Sequence, residues 1–306
     1  MKKIQGSIVA IVTPFTVSGE IDIPALRGLV DMHLAEGTDA IVCCGSTGEA
    51  STLDEEEKVR VYRETIERAQ GRIPVIAGVF SNCTRTAKRI THAAKACGAD
   101  ACLVIVPYFN RPTLEGLKGH VAEIADVGLP MIFYNHPSRT SLHLSIEHLV
   151  EICENPMISA IKEGSCDLNI VQQFMRFSDK PLFSGDDILA LPQMAAGASG
   201  VISIVANVIP RLWHDFTRAN LDCDIQKART LYAQAADLCH ALILETNPQC
   251  VKYALSLMGK CEPAMRLPMV VPREKTRDDI RNVMEKMGLG LTLRQKAHTP
   301  EETCSV

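Results

Sequence analysis

The chain of 306 residues lacks most of what would mark it for nucleic acid, membrane or export. Its 32 Lys and Arg against 36 Asp and Glu leave a net charge of only −4, with both signs mixed along the sequence. No basic cluster follows a phosphate backbone, so a nucleic-acid partner is not expected. No apolar run approaches the ~20 residues of a membrane-spanning helix. The short apolar run that ends at Pro14 has neither the length nor the flanks of a secretory leader. The twelve cysteines include no Cys-x-x-Cys pair and mostly sit among apolar neighbours such as Cys43, Cys44, Cys102 and Cys153. They read as buried, reduced thiols of a cytoplasmic protein rather than a disulfide framework. Nine histidines with no His-x-x-x-His pair disfavour a metal-dependent mechanism. No glycine-rich turn follows the first strand, and Gly288-Leu289-Gly290 has no strand before it, so no dinucleotide loop is expected.

What is present is a repeat. With 46% hydrophobic and 22% charged residues the chain can bury a large core. Apolar runs at 7–13, 39–45, 74–79, 101–107, 130–135, 158–163, 181–185 and 200–205 read as parallel strands buried on both faces. Between them lie helical patterns, such as Val59, Tyr62, Ile66 and Ala69, or Ala87, Ile90, Ala94 and Cys97. Asp22 with Pro24 predicts one helix start, and Thr52 with Glu55 predicts a capping box at another. Gly37, Gly98 and Gly197 each stand at a helix end before a strand, where a left-handed residue stops the helix. One βα unit repeated about eight times predicts a (β/α)8 TIM barrel over 1–207. Helical patterns at 219–244, 249–257 and 278–287 predict a C-terminal helical extension over 208–291, followed by a polar, frayed tail over 292–306.

In such a barrel the chemistry sits at the C-terminal strand ends. After the second strand, Gly45-Ser46-Thr47-Gly48-Glu49 offers hydroxyls and backbone N–H groups to a carboxylate or phosphate; the same residues also suit a plain tight turn. The fourth strand ends in Tyr108-Phe109-Asn110-Arg111. The fifth ends in Tyr134-Asn135-His136-Pro137-Ser138-Arg139-Thr140. A tyrosine followed by an arginine supplies an acid/base hydroxyl and a carboxylate fork, or a packed ring and a solvated cation. Lys162 stands inside the sixth apolar run. By alternation it shares a face with Ala160 and Ile158, where desolvation would leave a neutral amine able to attack a ketone. The other reading of Lys162 is a buried ion pair with Glu163 or with an acid across the barrel. Ser184-Gly185-Asp186-Asp187 marks a further loop at the same end.

Taken in order, the motifs 45–49, Tyr134-Asn135-x-Pro137-x-Arg139-Thr140, Ile161-Lys162-Glu163 and 184–187 resemble those of the dihydrodipicolinate synthase / N-acetylneuraminate lyase superfamily, the class I pyruvate aldolases. The resemblance runs from about Gly6 to Pro268 and is nearest to the synthase branch. It implies an enzyme whose Lys162 forms a Schiff base with pyruvate, with no metal or organic cofactor. It implies that Ser46 and Tyr134 relay protons and that Thr47 and Gly45 hold the pyruvate carboxylate. Gly185 and Ile202 border the same site, and Arg139 holds the carboxylate of a second substrate. That substrate is expected to be aspartate β-semialdehyde, the product 4-hydroxy-tetrahydrodipicolinate of lysine and diaminopimelate biosynthesis, and the assembly a homotetramer. Sugar-acid aldolases, dehydratases and deaminases of the superfamily, and a non-catalytic keto-acid-binding paralogue, are the alternatives.

Three features depart from the synthase pattern. Phe109 replaces the second of two adjacent tyrosines, so Tyr108 and Phe109 are accessory candidates and the usual hydroxyl relay is interrupted. His136 stands where an apolar residue is common, beside the second-substrate pocket. In the region that the resemblance links to lysine feedback, Asn82 and Tyr108 match. Thr86 replaces an expected glutamate there, and Glu55 and Lys58 stand where histidines often occur, so inhibition by lysine is expected to be weak or absent.

Overall fold

The computed structural model describes residues 4–290. The expected frayed tail over 292–306 lies outside the described residues. The elements run β1 (Gly6–Ala10), α1 (Ile23–Ala35), β2 (Ala40–Cys43), α2 (Glu55–Ala69), β3 (Val75–Val79), α3 (Thr84–Cys97), β4 (Ala101–Ile105), α4 (Leu114–Ala125) and β5 (Met131–Asn135). They continue with α5 (Pro137–Thr140), α6 (Ile146–Cys153), β6 (Ile158–Glu163), α7 (Leu168–Phe177), β7 (Leu182–Ser184), α8 (Ala190–Ala195) and β8 (Gly200–Ser203). Four helices follow: α9 (Pro210–Leu221), α10 (Ile225–Ala241), α11 (Gln249–Leu257) and α12 (Glu274–Lys286). The strands form a closed barrel in chain order, all parallel, with β8 pairing β1. This is the TIM barrel that the apolar runs predict. The seam needs a glycine: a Cβ on Gly200 would fall 2.3 Å from the carbonyl oxygen of Gly6.

Strand alternation divides the core in two. Ile8, Val42, Ile76, Leu103, Ile132, Phe183 and Ile202 fill the barrel interior, while Val9, Ile41, Val75, Val104, Phe133 and Ile161 pack outward under the helices. Each such side chain, fully buried, contributes about 1.5–3 kcal/mol. One strand breaks the alternation. Ile158 lies in the outer cluster and Ala160 in the inner one, because the β5–β6 register shifts between Met131 and Ile132. The expectation that Lys162 shares a face with Ile158 is therefore corrected. The irregularity turns Ile158 outward and leaves Ala160 and Lys162 facing in.

Helix starts follow local chemistry. Asp22 caps α1, accepting from the Ala25 N–H at 3.0 Å. The capping box of α2 is Asp54 with Glu57, two residues later than Thr52 and Glu55; the Thr52 hydroxyl instead donates to the Glu49 carbonyl. The helix expected over 219–244 is two helices. Cys223 takes a left-handed φ of 60°, and Asp224 then caps α10. α9 packs on both β1 and α10, joined by Trp213, Phe216 and Tyr232, whose tilted rings meet at centroid distances of 4.8–6.4 Å. Among the described residues every cysteine is free, and no helix is long and apolar enough to cross a membrane.

Candidate active site

β6 delivers Lys162 to the mouth of the barrel. It pairs in register with Tyr134 of β5, and its Nζ lies 4.2 Å from the centre of that ring. The side chain is only 6% exposed. Burial pulls its pKa down to about 7, an effect that Arg139 reinforces and that Asp187 and Asp186 oppose. Among the described residues Lys162 makes no ion pair. Glu163 points elsewhere, accepting from Asn135 Nδ2 at 2.9 Å and from the Ser165 N–H at 2.6 Å. The ion-pair reading of Lys162 is thereby set aside, and a buried amine faces a cavity in a form that is partly neutral near pH 7.

That cavity has a volume of about 650 Å³ and reaches from Lys162, Ser46, Thr47 and Tyr134 to Arg139, His136 and Asp187. Tyr134 is buried, and burial is the first cause of its raised pKa; Arg139 and a hydrogen bond with Ser46 pull the other way. The 45–49 segment is both a tight turn and a cavity wall. Its Glu49 N–H donates to Ser46 O at 3.1 Å, while Ser46 and Thr47 line the cavity. Gly45 opens the turn, its carbonyl accepting from the Ala50 N–H at 3.2 Å. The Gly185 N–H donates to Glu163 O at 2.7 Å. A Cβ on Gly185 would stand 2.7 Å from that oxygen and 3.0 Å from Lys162 Cε, so glycine is what leaves room for the lysine.

Arg139 is exposed on the short helix α5 and donates weakly to Asn247 O at 3.5 Å. His136 precedes that helix, and its side chain makes no capping bond. Its Nδ1 bonds Ser138 Oγ at 3.0 Å, and its ring packs on Tyr134 at 5.3 Å. Burial, then Lys162 and Arg139, push its pKa down to about 4. Ile202 is packed in the interior layer below the cavity, and the nearby wall residue is Ile204. Tyr108, half-buried, lines an adjoining space of about 230 Å³ with Ser46, Arg139 and Asn247. Phe109 is not brought into either space. It is 90% exposed, with a left-handed φ of 71°.

Two further contributors have no role assigned from the sequence: Asn247, and Asp187, which stands there only as part of the 184–187 loop. Asn247, on the loop before α11, donates from Nδ2 to Thr47 Oγ1 at 3.0 Å, across 200 residues of chain. Asp187 accepts from the Ile204 and Val205 N–H groups at 2.8 Å with one oxygen and keeps the other, Oδ1, buried and unpartnered. Burial pushes its pKa up to about 6.

Comparison with known proteins points one way. A model of the dihydrodipicolinate synthetase family matches residues 3–287. A protein of Trichlorobacter lovleyi named 4-hydroxy-tetrahydrodipicolinate synthase is 43% identical over 288 residues, 93% of this chain and 99% of that one. The crystal structure of dihydrodipicolinate synthase from Aquifex aeolicus superposes with a TM-score of 0.91 at 42% identity, covering 94% of this chain and 100% of that one. The chloride-inhibited enzyme of Acinetobacter baumannii complexed with pyruvate gives 0.92 at 42% identity, with the same coverage.

Proposed function

The chain belongs to the dihydrodipicolinate synthetase family, and on that premise we propose that it condenses pyruvate with aspartate β-semialdehyde to give 4-hydroxy-tetrahydrodipicolinate, through an imine on Lys162. The observation that carries this reading is the buried Lys162 amine, in no ion pair among the described residues and facing a cavity beside Tyr134 and Ser46. Its neutral fraction attacks the pyruvate ketone, and water leaves as the imine forms. The pyruvate carboxylate rests on the turn carrying Gly45, Ser46 and Thr47. Tyr134, backed by Ser46, moves protons to and from the carbinolamine and the aldehyde oxygen. The protonated imine is the electron sink for loss of a methyl proton, so the reaction needs neither metal nor organic cofactor. The resulting enamine attacks the aldehyde carbon, and the product cyclises as the lysine is released.

Arg139 holds the carboxylate of the semialdehyde as a bidentate cation. Phe109 supplies no hydroxyl, so the relay rests on Ser46 and Tyr134, with Tyr108 in the adjoining space. Ile202 supports the floor and Gly185 leaves clearance for the lysine stem. The enzyme acts in the cytoplasm as a homotetramer; the exposed rings and aliphatic chains of Phe109, Val17 and Leu267 are apolar surface that subunit contact would cover.

One observation favours a second reading. His136, a polar side chain on the cavity wall, would suit a 2-keto sugar acid. A panel of aldehydes offered to the pyruvate-loaded enzyme separates the two. Turnover with aspartate β-semialdehyde and little with sugar aldehydes is expected; the reverse order would overturn the choice of second substrate.

A further inference from the structure

The C-terminal extension reaches the catalytic end through a buried ion pair that touches neither the lysine nor its cavity. Glu49 closes the 45–49 turn with a left-handed φ of 52°, a conformation a residue with a Cβ keeps only when its surroundings impose it. Its carboxylate is held by Lys252 of α11: Nζ and Oε1 are 2.6 Å apart, with side chains 0% and 1% exposed. The other carboxylate oxygen accepts from the Arg266 N–H at 3.3 Å. Lys252 and Arg266 sit over the Phe15 ring at 4.2 and 4.5 Å. The Arg266 guanidinium donates onward to Gly19 O and Thr52 O at 2.9 Å, and to Glu57. The residues flanking the turn are thus tied to one cluster, and Lys252 is the cation at its centre. Against apolar side chains of the same size, a buried ion pair adds little net stability. What it supplies is geometry, because a desolvated carboxylate has one place to be.

We propose that Lys252 is a positioning residue, which through the Glu49 carboxylate fixes Ser46 and Thr47 where they receive the keto acid's carboxylate. The inference rests on the reading in which that turn binds pyruvate. It gives the extension a role in substrate affinity. Lys252 lines neither cavity, so its effect reaches pyruvate only through the turn.

The test is Lys252→Met, read by the pyruvate concentration that half-saturates borohydride-trapped imine and by KM for each substrate. Half-saturating pyruvate should rise about tenfold, with some fall in kcat because Ser46 on the same turn also backs Tyr134, and KM for the aldehyde little changed. A merely structural role would lower the yield of active enzyme and leave pyruvate affinity alone, and that result would overturn the proposal. If Lys252→Met does not fold, Glu49→Gln/Lys252→Met keeps the packing without the charges. A rise of about threefold in half-saturating pyruvate is then expected, and a wild-type value overturns the proposal. Failure of the wild-type protein to trap pyruvate at all would instead refute the imine on Lys162.

Discussion

Lys162 Nζ lies 4.2 Å over the Tyr134 ring, on neighbouring strands in register. A buried amine against an aromatic face, in no ion pair among the described residues and with Asp186 and Asp187 only partly offsetting its burial, is costly to the fold and useful to chemistry. The two consequences can be measured separately.

The cost appears in stability. The folded pKa of about 7 lies below the ~10.4 of an unfolded lysine. Between those values the unfolded chain binds more protons, so this residue makes stability rise with pH. The full penalty is present below pH 7 and fades towards pH 10. Lys162→Met should therefore stabilise the protein at pH 7, by a few kcal/mol at most, and the gain should shrink at pH 10. Urea midpoints of both proteins at the two pH values check this. A variant less stable than wild type at pH 7 would contradict it.

The use appears in rate. Imine formation needs the free amine, so the rate of pyruvate trapping should climb from pH 6 to 8 and then level off, with a midpoint near the Lys162 value of about 7. A midpoint near 10 would mean that the amine is not desolvated in solution.

Tyr134→Phe keeps the ring beneath Lys162 and removes the proton carrier. A loss of roughly 10²–10⁴-fold in kcat is expected, with the fold intact by circular dichroism. Activity within a few-fold of wild type would assign the proton transfers to another group, with Tyr108 the next candidate.

His136 is held near the cavity by Ser138 and Tyr134, and its depressed pKa of about 4 keeps it neutral across the working range. It should add no break to the pH profile between 5 and 9. Replacing it with valine should raise KM for the aldehyde by roughly two- to tenfold, the worth of a neutral hydrogen bond, with the pyruvate KM unchanged. Steady-state kinetics with each substrate varied in turn reads both.

Lysine should inhibit poorly. Thr86 offers no carboxylate to an effector's ammonium, Glu55 is bridged to Arg89, and Lys58 is buried. Micromolar to low-millimolar inhibition in a titration with L-lysine would refute this.

The barrel was legible because parallel strands buried on both faces leave apolar runs that no surface element shares, and the runs lie within a few residues of the strands. Lys162 was legible for the same reason, as a cation inside such a run. The register shift beside Ile158 was not, since a β-irregularity depends on the neighbouring strand. The break at Cys223 was hidden in a continuous helical pattern by a residue that rarely adopts positive φ. Asn247 and Lys252 were invisible, because their partners Thr47 and Glu49 lie 200 and 203 residues away and nothing local marks them.

The most direct test is borohydride reduction of the protein with pyruvate, followed by peptide mass mapping. One reduced pyruvate adduct per chain, located on Lys162 and lost in Lys162→Arg, is expected. No adduct, or an adduct on a different lysine, would contradict the account.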